Sequence, residues 1–249
     1  MEAKRILAHR RDEWGVIQAV EVDGVRYLDF GLQSEQGCMR CGEPLWLDYD
    51  YNRALLLGAL NHEAPKTALF LGLGAGSLTQ CVMQALPSLE RIDVIELRPA
   101  VLELAQQFFG YTPDERVHHH LGDALELLKE MPPADLIFMD MYLENGPAEG
   151  HLAWSFLQAC REKLNPEGWL LINQWSDESQ KPLGAALLQG VFHGQYWECP
   201  VIEGNVALWV PAQVGQPLQT NKLEQAAWRL SLVLGYDVGE LLDGLRRPE

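Results

Sequence analysis

The 249-residue sequence has no long apolar run and no excess of basic side chains. The run ALLLGAL at 54–60 is far shorter than the roughly 20 apolar residues that a membrane helix needs. Nineteen basic side chains against 35 acidic ones give a formal net charge of −16, whereas phosphate binding needs a basic surface. The N-terminal segment MEAKRILAHRRDEW has no apolar core, so we expect no signal peptide. Neither a membrane nor a nucleic acid is predicted as a partner.

The cysteine content predicts no disulfide framework. Five cysteines is an odd number, which favours reduced thiols and a cytoplasmic protein. Cys38 and Cys41 form a C-x-x-C, but no second half of a zinc site follows at a suitable spacing. Gly42 and Pro44 oppose the helix that a thioredoxin-type motif would open. We interpret the pair as two loop thiols and predict no metal site.

The first 60 residues predict a small β region and a linking helix. Residues 14–32 alternate apolar and polar side chains around Asp23 and Gly24, a pair typical of a tight hairpin turn. The stretch 33–44 is predicted to be irregular, and 46–60 has the apolar spacing of a helix.

The stretch from Thr67 to Asp140 alternates short apolar runs with amphipathic helical runs. This pattern predicts an α/β fold with a seven-stranded, mostly parallel Rossmann-like sheet and helices on both faces. We expect a nucleoside-binding domain over 61–215, after an N-terminal region over 1–60 and before a helical tail over 216–249. The predicted strands are 68–71, 92–95, 116–121, 135–139 and 169–172, followed by a hairpin formed by 194–202 and 204–211. A helix is predicted over 148–164, and two short helices from about Asn221.

Candidate binding residues follow the predicted strands. Gly72, Gly74 and Gly76 lie between a strand and a helix, where glycines let the backbone approach a ligand. Glu96 ends the next strand about 20 residues later, where a carboxylate can accept hydrogen bonds from ribose hydroxyls. Asp123 is placed to cap the following helix and to meet a base amine.

Two further features lie near the ends of the same sheet. Asp140 ends the fourth strand beside the predicted nucleoside site. His118, His119 and His120 are consecutive in a strand, so alternation sends the middle one to the opposite face. We interpret the three histidines as structural.

Together these motifs identify a class I methyltransferase-type fold, and its flanks resemble the spermidine synthase (polyamine aminopropyltransferase) family. The preceding hairpin GVIQAVEVDGVRYLDFGLQS is similar to that family's N-terminal domain. Asp140 through Gly146-Pro147-Ala148 resembles its D-x-x-D-x-x-G-P-A loop, and Gly204-Asn205-Val206 resembles a late segment. The resemblance covers roughly residues 14 to 210.

The resemblance implies roles for matching positions. It implies that Asp140 is the catalytic acid, that Asn173 takes the place of a frequent glutamine, and that Tyr51 lies on the acceptor side. Tyr142 and Leu143 make that acceptor side less polar. The implied homodimer would use the hairpins at its interface. The residues implied to hold the nucleoside are Gln33, Gly72, Gly74, Gly76, Glu96, Gly122, Asp123 and Ala124.

Two departures from the family pattern bear on the chemistry. Ala75 stands where the family's G-G-G-D-G-G loop has its aspartate, and Leu143 stands where a second aspartate follows the catalytic one. In the family these carboxylates hold the donor ammonium and steer the attacking amine. Ala75 removes a charge that would repel the carboxylate of ordinary S-adenosylmethionine.

Three hypotheses follow. The first is a spermidine-synthase-like transferase that moves an aminopropyl or alkyl group from decarboxylated S-adenosylmethionine, or from S-adenosylmethionine, to an amine acceptor. The second is an S-adenosylmethionine-dependent methyltransferase. The third is a non-catalytic nucleoside-binding paralogue.

Overall fold

The computed structural model describes residues 4–31, 34–112 and 114–248, which form a four-stranded sheet, a seven-stranded sheet, a two-stranded sheet and the helices between the strands. Among these residues no helix is both long and apolar enough to cross a membrane.

The N-terminal region is a four-stranded antiparallel sheet in the order β1-β2-β3-β4. The predicted hairpin is confirmed as β2 and β3, joined at Asp23 and Gly24, which both have positive φ. The prediction that 33–44 is irregular is wrong over β4, and β1 was not predicted. Both missed strands are rich in polar residues and are fixed by pairing with the hairpin, with a register shift in each pair. The four strands are β1 (Arg5–Asp12), β2 (Gly15–Val22), β3 (Val25–Phe30) and β4 (Ser34–Arg40).

The central sheet has seven strands in the order β12-β13-β11-β8-β5-β6-β7, and β13 alone among these seven runs against the others. The predicted seven-stranded, mostly parallel sheet is therefore confirmed. A small two-stranded hairpin, β9 and β10, follows β8. The strands are β5 (Thr67–Leu71), β6 (Arg91–Glu96), β7 (Val117–Leu121), β8 (Ala134–Met139), β9 (Tyr142–Leu143), β10 (Gly146–Pro147), β11 (Leu164–Trp175), β12 (Trp197–Pro200) and β13 (Asn205–Pro211).

Helices lie on both faces of this sheet. The helix predicted over 148–164 begins later, at Trp154, because Gly150 has a φ of +83° and the segment before it forms turns. The C-terminal segment forms α7, which is longer than the short helix predicted there, and a 3-10 helix, Gly239–Gly244. The α-helices are α1 (Asp50–Ala59), α2 (Ser77–Ala85), α3 (Pro99–Phe108), α4 (Ala124–Leu127), α5 (Trp154–Glu162), α6 (Ala185–Phe192) and α7 (Thr220–Leu234), and a 3-10 helix, Leu128–Glu130, extends α4.

Alternation along the strands divides the core in two. Phe70 and Phe138 stack with ring centroids 4.4 Å apart on the face covered by α1, α2, α3 and α7. Leu69 and Ile137 face α5 and α6 on the other side. Because both faces are covered, the strands read as nearly continuous apolar runs. These apolar runs end at polar or glycine residues. The residues at those strand ends form the candidate active site.

Two of the three consecutive histidines make local contacts within the fold. His119 lies 3.0 Å from the Tyr111 hydroxyl, and His120 Nε2 lies 2.8 Å from Asp93 Oδ1. Within the described ranges, no group of three or more histidine, cysteine or acidic side chains is arranged to hold a metal ion.

Candidate active site

A cavity of about 290 Å³ lies at the carboxyl ends of β5, β6, β8 and β11, against the N-terminal sheet. Ligands of open parallel sheets bind at this edge. Gln33 lies outside the described residues. The other residues named from the sequence all line the cavity: Tyr51, Gly72, Gly74, Gly76, Glu96, Gly122, Asp123, Ala124, Asp140, Tyr142, Leu143 and Asn173.

The glycine loop fits tightly between β5 and α2. Gly72 has a φ of +100°, and a Cβ there would collide with the Asp140 carbonyl oxygen. Gly76 has a φ of +78° at the N-terminus of α2, and its Cα faces the Tyr111 ring. Side chains at either position would displace the loop, so glycine is required for its path.

Glu96 is buried at the end of β6, with 7% of its surface exposed. Its Oε2 accepts a hydrogen bond from Leu73 N at 3.0 Å, and its Oε1 accepts one from Arg98 N at 2.8 Å. Burial raises the pKa of Glu96, and these backbone donors and the Arg98 charge oppose that rise. The carboxylate is thereby held in one orientation at the cavity wall.

Asp123 caps α4 as predicted. Its side chain accepts a hydrogen bond from Leu125 N at 2.9 Å, and the residue also lines the cavity. An aspartate that caps a helix keeps a fixed rotamer, and its oxygens retain lone pairs for a second hydrogen-bond partner. A contact to a base amine stays a prediction.

Asp140 lies half-buried directly after β8, with its backbone N–H donating to Leu71 O at 3.0 Å. Asn173 Nδ2 donates to Asp140 Oδ1 at 2.8 Å, and Asn205 Nδ2 donates to Asn173 Oδ1 at 2.8 Å. The second amide fixes the orientation of the first. Burial raises the pKa of Asp140 to about 6, and the Asn173 hydrogen bond opposes that rise.

Aromatic side chains surround the space beside Asp140. Tyr51, Tyr142 and Trp175 line the cavity, and the rings of the last two lie 5.5 Å apart. The Tyr142 hydroxyl donates to Asn173 O at 3.2 Å. The pKa of both tyrosines is raised, chiefly by burial, so both remain neutral hydroxyl groups. An aromatic wall beside a carboxylate can hold a cationic or neutral amine.

The positions of the two missing acids are apolar. Ala75 is 3% exposed and packs against Gly37 of β4, and Leu143 lies in β9. Neither Glu144 nor Glu149 of the same loop lines the cavity. The Glu144 side chain instead packs against Gly31 at the end of β3. Asp140 is therefore without a second acid from this loop.

Sequence reasoning missed many wall residues whose place in the cavity depends on tertiary placement, among them Arg98, Trp175, Glu203 and Asn205. Trp175 ends β11 and Asn205 begins β13. Both strands were predicted, but nothing in the sequence indicated that these two side chains line the cavity. Glu203 accepts a hydrogen bond from Asp50 N at 2.7 Å at the rim. Arg98 carries no motif, and its partners lie in the N-terminal sheet.

The C-x-x-C thiols are not paired with each other. Cys38 lies in β4 rather than in a loop, and burial raises its pKa to about 12. Cys41 is exposed beyond the strand. A thiol with a raised pKa is a poor nucleophile, and the Cys38 thiol donates to Asp48 Oδ2 at 3.8 Å.

A polyamine aminopropyltransferase from Chromobacterium violaceum is 26% identical over 241 residues, which span 93% of this chain and 89% of that protein. Human methyltransferase-like protein 13, in a crystal structure in complex with SAH, is 28% identical with a TM-score of 0.64, covering 75% of this chain and 92% of that one. Spermidine synthase from Thermotoga maritima has a TM-score of 0.75 over 98% of this chain and 85% of that one, at 16% identity, which shows the fold alone.

The spermine/spermidine synthase domain model matches residues 51–203, more than half of the sequence. The match runs from the tyrosine of α1 to the rim glutamate, and so includes the glycine loop, Glu96, Asp123, Asp140 and Asn173. The chain belongs to the spermine/spermidine synthase family.

Proposed function

We propose that the protein is a transferase that moves an alkyl group from the sulfonium centre of an S-adenosyl nucleoside to an amine. The observation that carries this proposal is that Glu96 and Asp140, at the ends of two strands, line one cavity on either side of the glycine loop. The first carboxylate suits a ribose, and the second suits an amine.

The donor half of the cavity would hold the nucleoside. Glu96 is an acceptor for ribose hydroxyls, and Asp123 is an acceptor for the base amine. The glycine loop lets the backbone approach the ligand closely at Gly72 and Gly74. The relatives support this assignment, because one is a polyamine aminopropyltransferase and another is a methyltransferase in complex with SAH.

The acceptor half would hold an amine against Asp140. The amine nitrogen attacks the carbon bonded to the sulfonium, the new C–N bond forms, and the C–S electron pair returns to sulfur. The product nucleoside is a neutral thioether, and the ammonium product loses one proton. Asp140, with a pKa of about 6, is mainly ionised at neutral pH and accepts that proton.

Of the groups that the donor could transfer, we propose the aminopropyl group first. The polyamine relative matches this chain nearly end to end, and Asp140, Tyr51 and the aromatic wall favour a cationic acceptor such as a diamine. A cytoplasmic homodimer is part of the same proposal. Light scattering of the purified protein tests the dimer, and a monomeric mass would remove that part.

Methyl transfer from ordinary S-adenosylmethionine is the second candidate, and Ala75 is the observation that favours it. No carboxylate at this position repels the carboxylate of the intact donor tail. Leu143 also makes the acceptor side less polar, which suits an apolar or aromatic amine better than a diamine.

Binding calorimetry tests the donor. Wild-type protein is titrated with decarboxylated S-adenosylmethionine, S-adenosylmethionine and methylthioadenosine. We expect all nucleosides that bind to lose at least about tenfold in affinity in Glu96→Gln, because an amide offers one acceptor oxygen instead of two. Glu103→Gln, on the exposed face of α3, is the matched control and should bind as wild type does.

The rank order of the donors decides between the two transfers. Tighter binding of the decarboxylated form supports aminopropyl transfer, and tighter binding of the carboxylated form supports methyl transfer. Binding of nucleosides without turnover on any amine would favour a non-catalytic role, and no binding of the three would reject the proposal.

A further inference from the structure

Glu203 lies in the turn between β12 and β13, where it is exposed at the rim of the cavity and forms part of its wall. Its Oε1 accepts a hydrogen bond at 2.7 Å from the backbone N–H of Asp50, the first residue of α1. The turn is closed independently of this side chain, by Val201 N donating to Asn205 O at 2.9 Å. One carboxylate oxygen of Glu203 is thus held in place, and the second retains lone pairs for a ligand.

Glu203 belongs to the same side of the cavity as Asp140. Asn205, two residues after Glu203, donates to Asn173 Oδ1, and Asn173 donates to Asp140 Oδ1. These bonds tie the beginning of β13 to the end of β8. The turn that carries Glu203 is therefore fixed relative to the carboxylate that receives the proton in the proposed reaction.

Two stacked tyrosines line the cavity beside these carboxylates. Tyr49 and Tyr51 flank Asp50 in the chain, and their rings lie 5.5 Å apart with an angle of 12° between the ring planes. Burial raises the pKa of Tyr51, and the nearby charge of Asp140 adds to that rise. The first turn of α1 therefore has Tyr51 near Asp140 and its backbone against Glu203. Aromatic faces of this kind suit both a methylene chain and a cation.

Acidic side chains outnumber basic ones in this wall. Among the lining residues that the structure describes, Arg98 is the sole basic side chain, and it is paired with Asp12. Two of the acids, Glu96 and Asp123, belong to the proposed donor half. The acids that remain for the acceptor half are Glu35, Asp140 and Glu203.

The chemistry of the transfer requires only one of these acids at the reacting nitrogen. An amine attacks as the neutral base, so the attacking nitrogen carries no positive charge. A further carboxylate in the acceptor half has a favourable Coulomb interaction only with a positive charge elsewhere on the acceptor. The wall therefore favours an acceptor that has a second cationic group.

We propose that Glu203 is a specificity-determining residue whose carboxylate binds a second, cationic group of the acceptor while Asp140 receives the proton of the reacting nitrogen. This rests on the proposed function, because it deepens the acceptor half of that site. The acceptor class is an amine joined to a second cation by a short apolar chain. Glu203 comes from the turn between β12 and β13, and so supplies an acid that the loop after β8, with Leu143, does not.

The kinetic test compares 1,4-diaminobutane with butylamine, which has the same chain and no second amine. Glu203→Gln keeps a side-chain oxygen that can accept from Asp50 N but removes the charge. We expect wild type to have the higher kcat/KM for the diamine, and Glu203→Gln to reduce this preference at least about threefold. The kcat/KM for butylamine should stay within about twofold of wild type. Calorimetry of both amines with methylthioadenosine bound should show the same loss for the diamine alone.

Two controls separate binding of a cation from a general effect of charge. Glu149→Gln removes an exposed carboxylate of the loop after β8 that does not line the cavity, and it should keep the wild-type preference. Raising the salt concentration from about 0.05 M to about 0.5 M should weaken the preference of wild type more than that of Glu203→Gln, because salt screens exposed charges.

A pair of peptides identifies the source of the second cation. Acetyl-lysyl-lysine amide and acetyl-lysyl-norleucine amide differ by one ammonium group beside the reacting amine. A preference for the first that Glu203→Gln removes would support the assignment with a peptide acceptor. The same result for the diamine pair alone would support it with a free diamine.

Three results would overturn the inference while leaving the proposed function standing. They are a preference that is unchanged in Glu203→Gln, an equal loss for acceptors with and without the second cation, and a loss of preference in Glu35→Gln but not in Glu203→Gln. If wild type transfers a group to none of these amines, the proposed function fails, and this inference fails with it.

Discussion

Asn173 Nδ2 donates a 2.8 Å hydrogen bond to Asp140 Oδ1, and this amide is itself oriented by Asn205. The bond stabilises the ionised carboxylate against the desolvation that raises its pKa to about 6. The protein thus holds a carboxylate that is both basic enough to take a proton and ionised at neutral pH.

Asn173→Ala should move the acidic limb of the rate profile to higher pH. Losing a donor to the carboxylate raises the pKa of Asp140, so the ionised base is lost at a higher pH. The measurement is kcat against pH. Asn165 donates to Asp135 at 2.9 Å at the opposite ends of the same two strands, so Asn165→Ala is the matched control. An acidic limb that stays in place in Asn173→Ala would contradict the role of this bond.

Asp140→Asn should stabilise the protein at pH 8. The folded pKa of about 6 lies above the ordinary value of 3.8, so ionisation of Asp140 destabilises the folded state as pH rises through 6. A shift of two pKa units corresponds to at most about 3 kcal/mol. We therefore expect the free energy of unfolding of Asp140→Asn, measured in urea, to exceed that of wild type by about 1 to 3 kcal/mol. The gain should shrink as pH falls from 6 to 4.

Asp135→Asn is a control for which we expect the opposite effect, a loss of stability. Burial alone would raise the pKa of Asp135, but hydrogen bonds from Asn165 and from the Lys66 and Thr67 backbone lower it below the ordinary value. Its ionised form therefore contributes stability above pH 4, which the substitution removes. An Asp140→Asn protein that is less stable than wild type at pH 8 would contradict the burial described for this carboxylate.

Ala75→Asp should shift donor preference toward the decarboxylated form. A carboxylate in this wall attracts the terminal ammonium of that donor and repels the carboxylate of S-adenosylmethionine. We expect the affinity ratio of the two donors to change by about tenfold or more, measured by calorimetry. Asparagine is nearly equal in size to aspartate but uncharged. Ala75→Asn therefore separates the effect of charge from the effect of crowding against Gly37. An equal shift in both variants would exclude the electrostatic explanation.

Gly72→Ala should abolish nucleoside binding and destabilise the protein by about 2 kcal/mol or more, because its φ is positive and its Cβ would meet the Asp140 carbonyl oxygen. Gly204 has a similar φ of +84° with nothing within 4 Å of a Cβ, so Gly204→Ala isolates the backbone cost, about 1 kcal/mol. Thermal unfolding and calorimetry compare the two. Equal losses would mean that the close approach is unimportant.

Much of this site follows from local sequence because strand ends converge. The glycine loop, Glu96, Asp123 and Asp140 each end an apolar run, and parallel strands bring such ends to one edge. The mostly parallel sheet with helices on both faces follows from the alternation of apolar runs with amphipathic helical runs along the sequence. These features could be predicted because they depend on neighbours close in the chain.

The remaining features depend on contacts between distant segments. β1 and β4 have too few apolar residues to read as strands, and pairing with the hairpin decides them. Arg98 meets Asp12, 86 residues away, and Asn205 meets Asn173, 32 residues away. Polar side chains of this kind give no periodic signal, so only the folded arrangement shows what they contact.

The most direct test of the central claim is the release of a thioether nucleoside by wild type and by Asp140→Asn. Each protein is incubated with decarboxylated S-adenosylmethionine or S-adenosylmethionine, with 1,4-diaminobutane or butylamine as acceptor. We predict amine-dependent release of methylthioadenosine or S-adenosylhomocysteine by wild type. In Asp140→Asn we predict a fall of about 100-fold or more in kcat, with the affinity for methylthioadenosine within about threefold of wild type. Equal release by the two proteins would contradict the account.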